Sequence, residues 1–321
     1  MDIVCIGVAI MDMFPSEYGK HLTDVPYFIP APGGAPANVA VAAAKLGASS
    51  AFIGKVGDDI FGRHLAKVYE SHGVNVKGMQ FDKTACTTMN LHAKPDEKTT
   101  EYLFYRKPGA DTLLTPDELD CDLLKSCKIL HFDSLNLTNE PTRSATMEAI
   151  KIVKDNGGTV SFDVNYREPV WESKQDAIDS ILKIIALVDI VKLNDDELLL
   201  LTGSDNPEIA VTPLLTLGPQ IVLLTMGSKG SWVFTRNEGI FVKAFKVNSV
   251  DTIGCGDAFV AGFLSLYIKE KTQGDTEPEK LREFLIYANA VGALTATKKG
   301  VIPALPDKHE VNEFLKLVTM I

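Results

Sequence analysis

Residues 250–260 combine two glycines and an aspartate with the start of an apolar run, an arrangement that could bind phosphate. The segment reads VDTIGCGDAFV, and apolar residues continue at helical spacing to Tyr267. A helix N-terminus offers unpaired backbone N–H groups and a partial positive charge, and glycines let the backbone approach an anion closely. A carboxylate repels phosphate, so Asp257 is predicted either to accept a proton at this point or simply to cap the helix.

Polar residues near the start of the chain indicate a second part of the same site. Residues 2–11 form an apolar, β-branched run, which predicts one buried strand that ends at Asp12. The carboxyl end of a parallel strand is where open α/β sheets bind ligands, and a turn residue is the alternative for Asp12. Further on, Gly33 and Gly34 precede a run of small residues that predicts a helix, with Asn38 as a polar residue near its start.

Three further segments place polar or glycine residues directly after predicted strands. In residues 163–167 (DVNYR), Arg167 suits an anionic group, and a surface turn with a salt bridge is the alternative. In residues 194–197 (NDDE), three acids complement the dipole of a helix that starts there. Residues 225–230 (TMGSKG) form a glycine loop that carries little weight alone. The chain has no G-x-x-x-x-G-K-[ST] motif, which disfavours a P-loop nucleotidase.

Helix and strand patterns alternate from residue 107 onward, which indicates an α/β fold with a parallel sheet and helices on both faces. Residues 76–106 instead predict consecutive strands, and the irregular segment 16–32 is expected to join them in a small separate sheet. The predicted main domain therefore comprises residues 1–15, 33–75 and 107–321.

The order of these segments resembles the PfkB carbohydrate kinases, which are ribokinase-like sugar kinases. The resemblance covers residues 2–306 and rests on G-G-x-x-x-N, on residues 54–62 (GKVGDDIFG) and on D-T-x-G-x-G-D in the last quarter of the chain. It implies a ribokinase-like three-layer sandwich with a central, mostly parallel sheet and a small β-sheet lid, formed by 16–32 and 76–106, that covers the sugar and makes a homodimer contact.

The resemblance also implies a role for individual residues. Catalysis is expected from Asp257 as the base, with the amides of Gly254, Cys255 and Gly256 as the anion hole. The sugar is expected to contact Asp12, Gly33, Gly34, Asn38, Arg106, Asp111, Asn165 and Arg167. ATP is expected to contact Asn194, Glu197, Thr225, Gly227, Gly230 and Asn289. Asn194 and Glu197 would hold Mg²⁺ through water, and Asp251 would hold K⁺, although Ala304 stands where the family usually has a serine.

The substrate implied by the resemblance is D-fructose, converted to fructose 6-phosphate. The string D-x-N-x-R-x-x-x-W at 163–171 is similar to the fructokinase and 2-keto-3-deoxygluconate kinase branches, and Ala110 with Asp111 resembles fructokinases. Ribokinases tend to have Glu where Ser134 stands, which disfavours ribose or a nucleoside. A pair of arginines, Arg106 and Arg167, could instead clamp the carboxylate of the keto acid, so that substrate stays open.

Composition limits the partners and the compartment. The net charge of −10 argues against a nucleic-acid surface, and no apolar run approaches 18 residues, so neither nucleic acid nor membrane is expected. Five cysteines without a C-x-x-C pair predict reduced thiols and a cytoplasmic protein.

Two functions of other classes remain as alternatives. A non-catalytic sugar-sensing protein is disfavoured by the intact Asp257, and ADP release in the presence of sugar would exclude it. A nicotinamide dehydrogenase is disfavoured because no G-x-G-x-x-G follows the first predicted strand.

Overall fold

The computed structural model describes residues 1–96, 99–270 and 277–319, and its centre is one large sheet. The strands in these residues are β1 (Ile3–Ile6), β2 (Ile10–Pro15), β3 (Phe28–Gly33), β4 (Ser50–Gly57), β5 (Asn75–Asp82), β6 (Met89–Ala93), β7 (Glu101–Tyr105), β8 (Ile129–Asp133), β9 (Thr159–Asp163), β10 (Ile190–Asn194), β11 (Ile221–Thr225), β12 (Gly230–Phe234) and β13 (Gly239–Lys243). The helices are α1 (Ala35–Lys45), α2 (Ile60–Ser71), α3 (Cys121–Ser126), α4 (Thr142–Asp155), α5 (Lys174–Ile185), α6 (Asp195–Thr202), α7 (Pro207–Leu217), α8 (Cys255–Glu270), α9 (Pro278–Thr295) and α10 (Lys308–Thr319).

The large sheet separates two helical layers. Within the described residues it has nine strands, in the order β13-β12-β11-β10-β9-β8-β1-β4-β5, and neighbours are parallel except at β11–β12 and β12–β13. Alternate residues of β1 enter different cores: Ile3 and Cys5 pack with α1, α8 and α9, whereas Val4 and Ile6 pack with α3 to α7. The predicted three-layer α/β sandwich with a mostly parallel sheet is confirmed.

One predicted strand proves to be two strands in different sheets. The run expected as a single strand over 2–11 divides after Ile6, because β1 lies in the large sheet and β2 lies in a small sheet of order β3-β2-β6-β7. The chain turns at Gly7, where a Cβ would lie 2.6 Å from Cγ of Pro36. Asp12 is therefore inside a strand of the small sheet and not at the end of a large-sheet strand, which corrects the sequence prediction.

The strand predicted at 76–81 also lies in a different sheet from the one expected. It forms β5, which pairs in parallel with β4 at the edge of the large sheet. The physical reason is the intervening helix α2, since a crossover helix brings the chain back parallel to the strand before it. The small sheet that stands apart consists of β2, β3, β6 and β7.

Helix α8 fixes the position of the GCGD segment at 254–257. Residues 258–265 are all buried, and the helix packs against α1 and α9. The first helical hydrogen bond runs from the amide of Ala258 to the carbonyl of Gly254, at 2.9 Å. Gly254 has φ 79°, a left-handed conformation that favours glycine, and this lets the chain turn sharply into the helix.

Candidate active site

One cavity of about 960 Å³ lies between the small sheet and the carboxyl ends of the large-sheet strands. On the side of the small sheet its lining includes Asp12, Gly34, Asn38, Asn90, His92, Tyr102, Phe104, Asp133, Asn165 and Arg167. On the side of β10 to β13 it includes Asn194, Glu197, Thr225, Gly227, Gly230, Phe245, Val247 and Asn289. Between the two sides lie Lys192, Gly254, Cys255, Gly256 and Asp257.

The start of α8 brings two distant predicted residues into contact. Nδ2 of Asn38 donates to Oδ2 of Asp257 at 2.8 Å, across 219 positions of sequence. The amides of Gly256 and Asp257 belong to the first helical turn, which leaves such amides without intrahelical acceptors. The amide of Cys255 donates to the carbonyl of Thr252 at 3.3 Å, so it is engaged within the loop. A carboxylate and two backbone amides without intrahelical acceptors therefore lie next to each other in the lining of the cavity.

The carboxyl group of Asp257 has the electrostatics of a base. Burial raises the pKa of Asp257 from 3.8 to about 7, and the hydrogen bond from Asn38 opposes part of this rise. Among the nearby charges, Asp163 adds to the rise, whereas Lys192 and Arg167 oppose it. A group whose pKa lies near the working pH is efficient at accepting a proton.

Asp12 and two asparagines form a polar wall below the small sheet. Nδ2 of Asn90 donates to Oδ1 of Asp12 at 2.9 Å, and burial raises the pKa of Asp12 to about 6. The other carboxylate oxygen of Asp12 lies so close to Gly33 that a Cβ on Gly33 would be 1.9 Å from it. Gly33 therefore leaves space for the Asp12 side chain, but it does not line the described cavity. Oδ1 of Asn38 and Oδ1 of Asn90 are buried without a hydrogen-bond partner in the described part of the chain. Such acceptors suit a ligand that carries hydroxyl groups.

Asp133 and Asn165 join the ends of two neighbouring strands. Nδ2 of Asn165 donates to Oδ2 of Asp133 at 2.8 Å, and burial raises the pKa of Asp133 to about 6. Asn165 has φ 35°, an uncommon conformation for a residue with a side chain. Arg167 follows two residues later, lines the same cavity and donates to the carbonyl of Tyr166 at 3.1 Å.

Arg106 and Asp111 do not line the cavity among the described residues, contrary to the sugar contacts that the resemblance implied. Nε of Arg106 donates to Oδ2 of Asp111 at 2.6 Å in a buried ion pair. The remaining guanidinium nitrogens donate to Oγ1 of Thr138 and the carbonyl of Leu135, and Thr88 donates its hydroxyl to Asp111. The pair is held by its own partners, so it braces the loop after the small sheet and does not face the ligand space.

The segments expected to bind ATP meet on the far side of the cavity. Thr225 ends β11, Gly227 lies in the loop after it and Gly230 begins β12, and all three line the cavity. Asn289 reaches it from α9, and its Oδ1 accepts from the hydroxyl of Ser231 at 2.8 Å. This hydrogen bond fixes α9 against β12 beside the ligand space.

Asn194 and Glu197 form a capping box at the start of α6. The two carboxylate oxygens of Glu197 accept from the amides of Tyr166 and Asn194, each at 2.8 Å, and Oδ1 of Asn194 accepts from the amide of Glu197. Burial raises the pKa of Glu197. Because its oxygens are engaged, Glu197 fits a role in holding Mg²⁺ through water and not as a direct ligand. Asp195 and Asp196 line the cavity beside it.

Asp251 lies behind the start of α8 and does not line the described cavity. Its carboxylate accepts from the amide of Ile253 at 3.1 Å and from the amide of Gly300 at 3.4 Å. The side chain thus ties the loop before α8 to the turn after α9, and its remaining lone pairs could contribute to a cation site. Ala304 offers no side-chain oxygen there.

The cavity lining includes residues that were not chosen from the sequence, among them Asn90, His92, Asp133 and Lys192. Lys192 had a signal, because a lysine inside the apolar run of β10 is buried only when it is paired. Asp133 also had one, since it ends a buried strand. Asn90 and His92 had none, because only the pairing of β6 with β2 brings them over the cavity.

The protein-family comparison matches residues 1–308 to the description "pfkB family carbohydrate kinase". The chain belongs to this family. It is therefore an enzyme that transfers a phosphoryl group to a sugar hydroxyl. Among curated relatives, the probable fructokinase-4 of Arabidopsis thaliana is 43% identical over 316 residues, which cover 98% of this chain and 96% of that protein.

Two solved structures show the same fold. The fructokinase of Vibrio cholerae O395 in its fructose-, ADP- and calcium-bound form has a TM-score of 0.88 and 34% identity, covering 98% of this chain and 99% of that one. The fructokinase of Xylella fastidiosa with bound ATP has a TM-score of 0.90 and 31% identity, with 99% of each chain covered. The ribokinase-like fold and the family predicted from sequence are confirmed.

Proposed function

We propose that this enzyme transfers the γ-phosphoryl group of ATP to the terminal hydroxyl of D-fructose, giving fructose 6-phosphate. The observation that carries the proposal is the placement of Asp257. It stands at the first turn of α8, between a polar pocket under the small sheet and a loop-lined space beside β10 to β13. The names of the Arabidopsis relative and of the two bacterial structures support fructose and ATP as the ligands of these two spaces.

In this mechanism, Asp257 accepts the proton of the attacking sugar hydroxyl. Asn38 holds the carboxylate through its 2.8 Å hydrogen bond, so the base is oriented before the sugar binds. The amides of Gly256 and Asp257 would stabilise negative charge on the transferring phosphoryl group. The cavity is covered by the small sheet, which would exclude water and prevent hydrolysis of ATP.

ATP would lie along Thr225, Gly227, Gly230 and Asn289. Asn194 and Glu197 would hold Mg²⁺ through water. When bound, Mg²⁺ supplies charge neutralisation at the phosphates. K⁺ near Asp251 is part of the same proposal, with backbone carbonyls as the remaining ligands.

The charge of the sugar pocket favours a neutral substrate. Asp12 and Asp133 both line it, and the cations on the same side of the described lining are Arg167 and Lys94, so the charges of the four residues balance. Arg106 is neutralised by Asp111 outside the cavity, so the two-arginine clamp considered for a keto acid is not assembled. Carboxylates that accept from sugar hydroxyls would repel a substrate carboxylate.

A coupled assay of ADP release tests the substrate. Fructose, ribose, glucose, adenosine and 2-keto-3-deoxygluconate are compared by kcat/KM at saturating ATP, and the phosphorylated position is read by NMR. We expect fructose to be preferred, with phosphate on the terminal hydroxyl. A higher kcat/KM for any other compound would overturn the fructose assignment and leave the family unchanged.

We extend the proposal to a homodimer through the small sheet. Asn90 and His92 of β6 line the cavity, so the alternation of side chains places Leu91 and its cross-strand partner Leu103 on the opposite, outer face. On this outer face Leu103 is 41% exposed and Tyr105 is 58% exposed. An exposed apolar sheet face favours association.

The compartment is proposed to be the cytoplasm. All five cysteines are free thiols, which suits a reducing environment. No helix in the ranges that the structure describes is long and apolar enough to cross a membrane. A fluorescent fusion imaged in the source cells would test the compartment.

A further inference from the structure

A buried ion pair lies directly behind the anion-binding turn. Lys192 on β10 and Asp163 at the end of β9 sit on neighbouring strands, and both are less than one-tenth exposed. Nζ of Lys192 donates to Oδ1 of Asp163 at 3.1 Å and to Oδ2 at 3.0 Å. Both carboxylate oxygens thus hold the ammonium in one position.

The ammonium group also approaches the backbone of α8. A Cβ built on Gly256 would lie 3.1 Å from Nζ of Lys192, and this is the nearest atom to that position. The missing side chain at Gly256 therefore lets the ammonium reach the first turn of the helix. Lys192 itself lines the cavity.

The ammonium of Lys192 is bound to a carboxylate through an ion pair with two hydrogen bonds. An ammonium has three donors, and Asp163 takes two of them. The third is not taken by Asp163, and Gly256 is the residue of α8 whose missing Cβ the ammonium approaches.

Structural stability alone gives little reason for such a pair. The desolvation of two buried charges offsets most of their attraction, so an apolar pair of similar volume would serve the core as well. A positive charge behind an anion hole, by contrast, favours the additional negative charge of a transition state.

We infer that Lys192 is a positioning residue for phosphoryl transfer: Asp163 holds its ammonium beneath Gly256, where its positive charge strengthens the anion hole of α8. The inference rests on the proposed function and deepens it. It assigns to a buried strand lysine a part in the reaction rate, separate from binding of sugar or nucleotide.

The test compares Lys192→Met, Asp163→Asn and the double variant that carries both. Lys192→Met is expected to lower kcat by about 30-fold or more, with KM for the sugar changed less than about threefold. The double variant restores charge neutrality in the core, so it is expected to recover the melting temperature lost in either single variant while kcat stays low. Recovery of kcat in the double variant would overturn the inference, because the pair would then be structural.

Lys55→Met is the matched control. Lys55 is also a buried lysine, paired with Glu118 at 2.7 Å, but it does not line the described cavity. It is expected to lower the melting temperature and leave kcat within twofold of wild type. If Lys55→Met lowers kcat as much as Lys192→Met, loss of any buried lysine explains the result and the inference fails.

A binding measurement separates this inference from the choice of substrate. Calorimetry with ADP, and with ADP plus aluminium fluoride as a mimic of the transferring group, needs no turnover. The double variant is expected to bind ADP within threefold of wild type and the fluoride complex at least tenfold more weakly. If the double variant bound the ADP–aluminium fluoride complex as tightly as wild type does, the role of Lys192 would be overturned. If wild type does not use fructose, the substrate proposal fails, and kcat is compared on the sugar it does use.

Discussion

Replacement of Asp257 by Asn should abolish activity and make the protein more stable. Asn keeps the shape of the side chain, and its Oδ1 can still accept the 2.8 Å hydrogen bond from Asn38. It cannot accept a proton at neutral pH. Loss of a general base typically lowers the rate ~10²–10⁴-fold, or about 3 to 5 kcal/mol of transition-state stabilisation. Binding of ATP and sugar should be retained.

The gain in stability follows from the pKa of Asp257. Its value in the folded protein is raised from 3.8 to about 7, so the ionised form is disfavoured by folding. Ionisation of Asp257 therefore lowers the free energy of unfolding. This loss is absent below pH 3.8, the pKa in the unfolded chain, and it is complete above about pH 7, where it amounts to about 4 kcal/mol. Asn does not ionise, so the variant escapes this loss. The advantage of the variant should grow by about 3 kcal/mol between pH 5 and pH 8.

Urea unfolding at several pH values and coupled ADP release measure the two effects on the same samples. Asp155→Asn, at an exposed position at the end of α4, is the control. It should change neither kcat nor the pH dependence of the free energy of unfolding. A variant that retains more than a tenth of wild-type kcat would refute the assignment of Asp257 as the base. A stability difference that is independent of pH would refute the electrostatic reasoning, even if activity is lost.

The sequence was sufficient to predict the local segments that the structure brings together in the lining of the candidate site. Gly254 directly precedes α8, and Gly256 and Asp257 lie in its first turn. Asn194 is likewise the cap of α6, and Glu197 lies in its first turn. Each motif is therefore a single local structure. Helical phosphate sites are encoded by a few adjacent residues. The match to the PfkB family and the three-layer fold followed from the order of such segments.

Pairing between distant strands could not be read from periodicity. The apolar run at 2–11 is continuous, yet its second half pairs with residues 89–91 of β6 in another sheet. Likewise, the strand at 75–82 resembles in composition the strands that follow it in the chain, β6 and β7 of the small sheet. The crossover through α2 nevertheless places it in the large sheet. Strand partners depend on the whole topology and not on local pattern.

The same limit explains why the sequence pointed to Asp111 as a sugar contact, whereas the structure places Asp133 in the lining of the cavity. Both are aspartates with 3% exposure or less, and either could be drawn beside the sugar from sequence. Burial of Arg106 next to Asp111 removes that pair from the ligand space, whereas Asp133 is joined to Asn165 and lines it. A choice between two buried carboxylates requires the positions of their partners.

Three further predictions concern the neighbours of Asp257, the sugar pocket and the dimer. Asn38→Ala removes a hydrogen bond that lowers the pKa of Asp257, so that pKa should rise and the acidic limb of the kcat/KM profile should move to higher pH; an unmoved limb would count against the contact. Asp133→Asn should improve the use of the keto acid (2-keto-3-deoxygluconate) relative to fructose by about tenfold in kcat/KM, since one buried negative charge no longer repels the acid; an unchanged ratio would show that Asp133 does not select the substrate. Tyr105→Asp places a charge on the exposed face of the small sheet, where association would have to bury it without a partner, so sedimentation at micromolar concentration should show a monomer where wild type shows a dimer. A variant that sediments as wild type does would place the interface elsewhere.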